Sequence, residues 1–157
     1  MGPAPRFFLR RARVRCGVND SSLAALLERE HRHLDELLGR FLAAASNADA
    51  GAARDAIVAF DDELGRHTEL EETRVIPVPG GHKLAPPLAE AQDERLFREL
   101  RLEHVQVREV SAMIRRLLEE KGDLEGARRL AGNLARRWDA HTTREERELF
   151  PSLAPRF

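Results

Sequence analysis

Six residues of this chain are of the types and spacing that hold a metal ion: His31, His67, Glu71, His104, His141 and Glu145. Two phrases carry most of the pattern. His67-Thr68-Glu69-Leu70-Glu71-Glu72-Thr73-Arg74-Val75-Ile76-Pro77 recurs as His141-Thr142-Thr143-Arg144-Glu145-Glu146-Arg147-Glu148-Leu149-Phe150-Pro151. Each copy has a His, a Glu four residues on, a second Glu directly after it, and a Pro ten residues past the His. On a helix, residues i and i+4 lie one above the other on one face, so an imidazole and a carboxylate converge on one point. That is a metal-binding geometry. Upstream of each phrase stands a Glu-His pair, Glu30-His31 before the first and Glu103-His104 before the second.

The elements that must position these residues follow from the repeat. Two copies of one helical pair, each with a His on its first helix and HxxxE on its second, predict an all-α four-helix bundle with internal twofold pseudosymmetry. Asn19-Asp20-Ser21-Ser22 is a run of capping residues, so the first helix is expected from near Ser22 to Ser46-Asn47. Its apolar stripe is Leu23, Leu27, Leu34, Leu38 and Phe41 or Leu42, with His31 in the gap and His33 on the solvated side. A second helix, capped by Asn47 or Asp49, ends before Pro77 and runs its seam through Ile57, Phe60, Leu64, His67 and Glu71. The stretch from Pro77 to Pro87 is a connection, and His82 belongs to that loop. The third helix opens at Pro87 or after a short turn to Asp93, carries Phe97, Leu100, His104, Val107, Ser111, Ile114 and Leu118, and stops at Gly122. Asp123 caps the fourth, whose seam is Ala127, Ala131, Leu134, Trp138, His141, Glu145 and Leu149, ending at Phe150-Pro151. Trp138, one turn from His141, is expected to wall the site. Residues 1–19 form a basic tail, 20–151 the bundle and 152–157 a C-terminal tail.

Composition bounds the function. The 157 residues suffice for one domain with a sizeable core, and 42% apolar against 34% charged residues is the balance of an ordinary globular chain. The 26 basic and 27 acidic side chains nearly cancel, which argues against a nucleic-acid partner. No apolar run is long enough to span a membrane. Cys16 is the single cysteine, so an internal disulfide and cysteine-based iron-sulfur or zinc sites are excluded, and a reducing cytoplasm is the expected compartment.

A lone His on an apolar face is usually a hydrogen-bonded core residue. Four seam histidines, with a seam Glu four residues on in both repeats, are a different matter. A carboxylate facing the core without a partner costs several kcal/mol, so both Glu71 and Glu145 need a cation, a proton or an exit to solvent. Four imidazoles and two carboxylates without a thiolate suit iron, manganese or zinc, and carboxylates in a bundle core can bridge two ions. If both bridge, each ion receives two His nitrogens and two carboxylate oxygens. Glu72 and Glu146 are candidates to orient ligating histidines from behind, although solvated helix-end glutamates are the commoner case. Arg108 is a candidate for reaching a bound oxygen species, with surface pairing to Glu109 or a neighbouring helix the plainer expectation.

Taken with the EHRHLDELL and LEHVQV contexts, His31, His67xxxGlu71, His104 and His141xxxGlu145 resemble the hemerythrin family, specifically its HHE cation-binding branch. The resemblance covers residues 20 to 151. It implies an up-down-up-down bundle around a non-haem di-iron centre, oxo- or hydroxo-bridged, with Glu71 and Glu145 as bridging carboxylates. The first iron would take His31 and His67, the second His104 and His141. Oxygen-carrying hemerythrins have a further His four residues after the third-helix His, where this chain has Arg108, and Asp five residues after the last His, where this chain has Glu at the fourth. That departure argues against reversible oxygen carriage. The set is more similar to bacterial iron-centre repair proteins, which usually add a domain with paired cysteines that Cys16 alone cannot provide, and to HHE proteins linked to peroxide breakdown or nitric oxide handling.

Two functions are therefore expected. The first is a redox-active di-iron protein acting on peroxide, dioxygen or nitric oxide, with peroxide and oxygen-species chemistry of a catalase-like kind favoured over carriage. The alternative is a metal- or oxygen-sensing or iron-storage module without turnover, which would need an output domain or an exposed apolar patch for a protein partner.

Overall fold

The computed structural model describes residues 23–76 and 92–153. Within them are four long helices: α1 (Leu23–Ser46), α2 (Ala50–Arg74), α3 (Gln92–Lys121) and α4 (Leu124–Arg144). A π-helical turn (Glu145–Leu149) and the short α5 (Phe150–Leu153) continue α4. Helices adjacent in sequence pack on one another and α4 closes on α1, which makes a four-helix bundle. The Arg-rich residues 1–19, Cys16, His82 and the expected start at Pro87 lie outside the described residues.

The turns that set the pairs antiparallel are short and chemically specified. Asp49 caps α2 by accepting the Ala52 N–H at 3.0 Å. Asp123 caps α4 by accepting the Gly126 N–H at 2.7 Å. Each connection also holds one left-handed residue, Ala48 at φ 57° and Gly122 at φ 60°. Glycine takes that conformation freely, whereas alanine takes it against its Cβ.

The seams face inward as their spacing predicts. Leu27, Leu34 and Phe41 of α1, Ile57, Phe60 and Leu64 of α2, Leu100, Val107 and Ile114 of α3, and Leu134, Trp138 and Leu149 are all buried. They form two apolar layers rather than one. The larger runs from Leu34 and Trp138 to the turns that join the pairs. The smaller gathers Ala24, Leu27, Val75, Ile76, Phe97, Leu100, Leu149 and Phe150 at the opposite end. His31, between Leu27 and Leu34, and His104, between Leu100 and Val107, fall between the layers. That slot is where the polar residues collect.

One expectation needs correction. The fourth helix was expected to end at Phe150-Pro151, yet the chain stays helical through Leu153. The physical reason is a change of register. Phe150 N–H bonds to the Glu145 carbonyl five residues back, so the turn widens, relieving the clash of the proline ring with the preceding turn and needing no donor from Pro151.

Candidate metal centre

Every one of the six residues expected to ligate is buried: His31, Glu71 and Glu145 at 0%, His104 and His141 at 1%, His67 at 2%. They come from the four long helices and, for Glu145, the π turn that continues α4, and meet at one level of the bundle. His31, His67, Glu71 and Glu145 bring ligand atoms within 4.8 Å of one another, and so do Glu71, His104, His141 and Glu145. Each set is a group that could hold a metal ion, and the two share both carboxylates.

The carboxylates reach across the pseudosymmetry axis. Glu71 places Oε1 3.5 Å from His67 Nε2 on its own helix and Oε2 3.1 Å from His104 Nε2 on α3. Glu145 places Oε1 3.2 Å from His141 Nε2 and Oε2 3.1 Å from His31 Nε2 on α1. The backbone repeats as well. Ile76 N–H bonds to the Glu71 carbonyl at 2.8 Å, five residues back, as Phe150 does to Glu145. A five-residue hydrogen bond therefore starts at each shared glutamate, just ahead of Pro77 and Pro151, although at Glu71 the ordinary bond from Val75 at 2.9 Å is kept and only at Glu145 does the turn widen.

His31 Nε2 and His67 Nε2 lie within hydrogen-bond distance of each other at 3.2 Å, whereas the other inward atoms are close without being bonded. All four carboxylate oxygens of Glu71 and Glu145, with His104 Nε2 and His141 Nε2, lack a properly directed hydrogen-bond partner although solvent cannot reach them. Leaving a buried polar group unsatisfied costs roughly 1–3 kcal/mol, and more for a charged one. Carboxylate oxygens and imidazole nitrogens that crowd together unbonded are a donor set for a cation. The residues present thus fit a metal.

The outer nitrogens complete the fit. His67 Nδ1 is 2.9 Å from Glu30, His104 Nδ1 is 2.9 Å from Glu72, His141 Nδ1 is 3.2 Å from Glu103, and His31 Nδ1 is 3.5 Å from Glu146. Each helix supplies a glutamate to the histidine of the next, in the order α1 to α2, α2 to α3, α3 to α4 and the π turn back to α1. An imidazole that donates Nδ1–H to a carboxylate keeps its Nε2 lone pair for a cation. Glu72 and Glu146 therefore face histidines rather than solvent alone, against the commoner expectation for such residues. Glu30 and Glu103 were missed as partners. Their signal was in the sequence, since each directly precedes a seam histidine.

The electrostatics are those of a pocket short of positive charge. Burial would strip His104 of its proton, but Glu145 and Glu71, with Glu72, outweigh it and push His104 up to about 10. Burial holds His141 below the usual imidazole range, only partly offset by Glu103. For the two carboxylates, burial favours the neutral form of both. His67 and His104 reverse this at Glu71 and hold it below the usual range. At Glu145 burial and the Glu71 charge win, and it stays well above. The pair shares its negative charge unequally.

Trp138 walls the cluster as expected. Its ring lies 5.5 Å from His31, 5.9 Å from His67 and 5.8 Å from His141, and its indole N–H donates to Asp35 at 2.8 Å. Phe150 stacks on His31 at 5.4 Å. Two expected non-participants stay outside: His33 is exposed, and Arg108 is exposed on a groove of about 730 Å³ between α2 and α3 that also reaches Glu72.

No helix among the described residues is long and apolar enough to cross a membrane. Residues 22–153 match the family model described as Hemerythrin HHE cation binding domain. No curated protein and no solved structure matches the chain.

Proposed function

With the chain belonging to the hemerythrin HHE cation-binding domain family, we propose that its buried cluster holds two iron ions and reacts there with a small oxidant. His31 and His67 hold one ion, His104 and His141 the other, and Glu71 and Glu145 lie between them. Manganese or zinc would suit the same donors. The observation that carries this reading is the set of unbonded Glu71 and Glu145 oxygens, with His104 Nε2 and His141 Nε2, between two apolar layers.

When bound, an iron pair would supply redox equivalents and an exchangeable coordination position for a small ligand. The protein's own share is physical. Glu30, Glu72, Glu103 and Glu146 hold the imidazoles in one tautomer and orientation. Trp138, Phe150, Leu27 and Leu100 keep bulk water from the slot, which strengthens every charge interaction inside it. His104 holds a proton while the donors are free and surrenders it to a cation.

Peroxide and oxygen-species chemistry is favoured over reversible carriage because Arg108 stands where oxygen carriers have a fifth histidine. The test is oxygen release when peroxide meets the iron-loaded protein. Release above an iron-free control is expected, and its absence overturns the peroxide reading.

A second reading, a sensing or storage module, gains support from Leu102, Val105 and Met113. They are 55%, 52% and 52% exposed along one flank of α3, a surface that a protein partner could cover. On this reading metal loading changes the fold. A melting point unchanged by chelation rules out the folding-switch form of it.

A further inference from the structure

The two repeats place like ligands in unlike surroundings. Glu30 and Glu103 are matching residues, each the acceptor behind a histidine of the next helix. Behind Glu103 stands a cation: Arg144 Nη1 is 2.9 Å from Glu103 Oε1 and 2.9 Å from Glu99 Oε2. The residue that matches Arg144 in the first repeat is Leu70, and the residue that matches Glu99 is Leu26. Neither brings a charge to Glu30.

The consequence is electronic. A carboxylate that accepts an imidazole N–H raises the basicity of the opposite nitrogen and so strengthens it as a ligand. A guanidinium on the same carboxylate takes up part of its negative charge and weakens that effect. We infer that Arg144, acting through Glu103 on His141, lowers the cation affinity of the position built on His104 and His141 and leaves the His31 and His67 position untouched. Arg144 touches no ligand atom and is a positioning residue. The near-symmetric donor set thereby becomes two unequal positions. Arg144 is a third exposed and Glu103 a quarter exposed, so solvent screens the effect and it is modest.

This inference rests on the two-ion reading above, and the test separates the two. Metal-free protein is titrated with cobalt(II) at fixed pH, and visible absorption reports each addition. Two ions per chain are expected. In Arg144→Leu one of the two steps tightens by roughly two- to fivefold while the other keeps its wild-type constant. Arg144→Lys, which keeps the charge, stays near wild type. Glu103→Gln weakens the same step by about tenfold or more, and Glu30→Gln weakens the other one. A lost salt bridge that merely loosened the fold would weaken both steps, so tightening of one is the diagnostic sign. Two ions per chain with Arg144→Leu unchanged, or weakened at either step, overturns the inference alone. Fewer than two ions in the wild type overturns the two-ion reading and the inference with it.

Discussion

Each buried histidine turns Nδ1 towards a glutamate and Nε2 towards the shared carboxylates, so residue chemistry already decides the direction in which a cation is bound. That orientation has a proton cost. With His104 pushed up to about 10, it carries a proton near neutral pH in the metal-free protein, and burial beside Glu71 favours the protonated form of Glu145. A cation must displace such protons, whereas Glu71, held low, and His141, also low, have none to give. The sign follows: acid favours the protonated donors, so metal affinity falls as pH falls and rises towards the upper value. Loading near pH 7 should release on the order of one proton per chain, measurable by calorimetry in buffers of different ionisation enthalpy. A binding constant flat between about pH 6 and about pH 8 would contradict this. At this scale the six inward residues were legible, because HxxxE at helical spacing is a local statement. Glu30 and Glu103 were not, because each serves a histidine on a neighbouring helix, and that depends on how two helices are rotated against each other.

The helices were readable almost to the residue, since their caps and stops are local too. Asp49, Asp123 and Gly122 do what their types predict. The end of α4 was not, because the i, i+4 rule assumes one hydrogen-bond register and the chain changes register at Glu145. The clue was the Pro that closes both phrases, read as a terminator when at Pro151 it accompanies a widened turn. The connections between the paired helices lie at the end away from the cluster, and substitutions there should move stability alone. Asp49→Ala should cost about 1 kcal/mol by removing the cap on Ala52. Ala48→Gly should instead gain up to about 1 kcal/mol by relieving a left-handed alanine. Denaturant unfolding of metal-free protein measures both, and neither should change the metal-binding constants. A change in affinity would mean that the two ends of the bundle are coupled.

For the whole molecule, the two apolar layers make a bundle that can hold together without metal, with the larger layer standing clear of the cluster. Metal should therefore add stability to a folded chain by mass action, about 2.7 kcal/mol at a free metal concentration a hundredfold above Kd. Removing it should loosen first the end where Glu71, Glu145 and the widened turn of α4 sit, seen as faster amide exchange in residues 67–76 and 141–153. The pseudosymmetry was plain from the repeated phrase, while its breaking by Arg144, Trp138 and Phe150 opposite Leu70, Leu64 and Ile76 emerged only once the neighbours were in place. The most direct test of the account is metal content per chain, by elemental analysis, for the wild type and for Glu71→Gln combined with Glu145→Gln, with helical content checked in parallel. Two ions in the wild type and a loss of both in a helical variant are predicted; a wild type that takes up none, or a variant that keeps both, would contradict it.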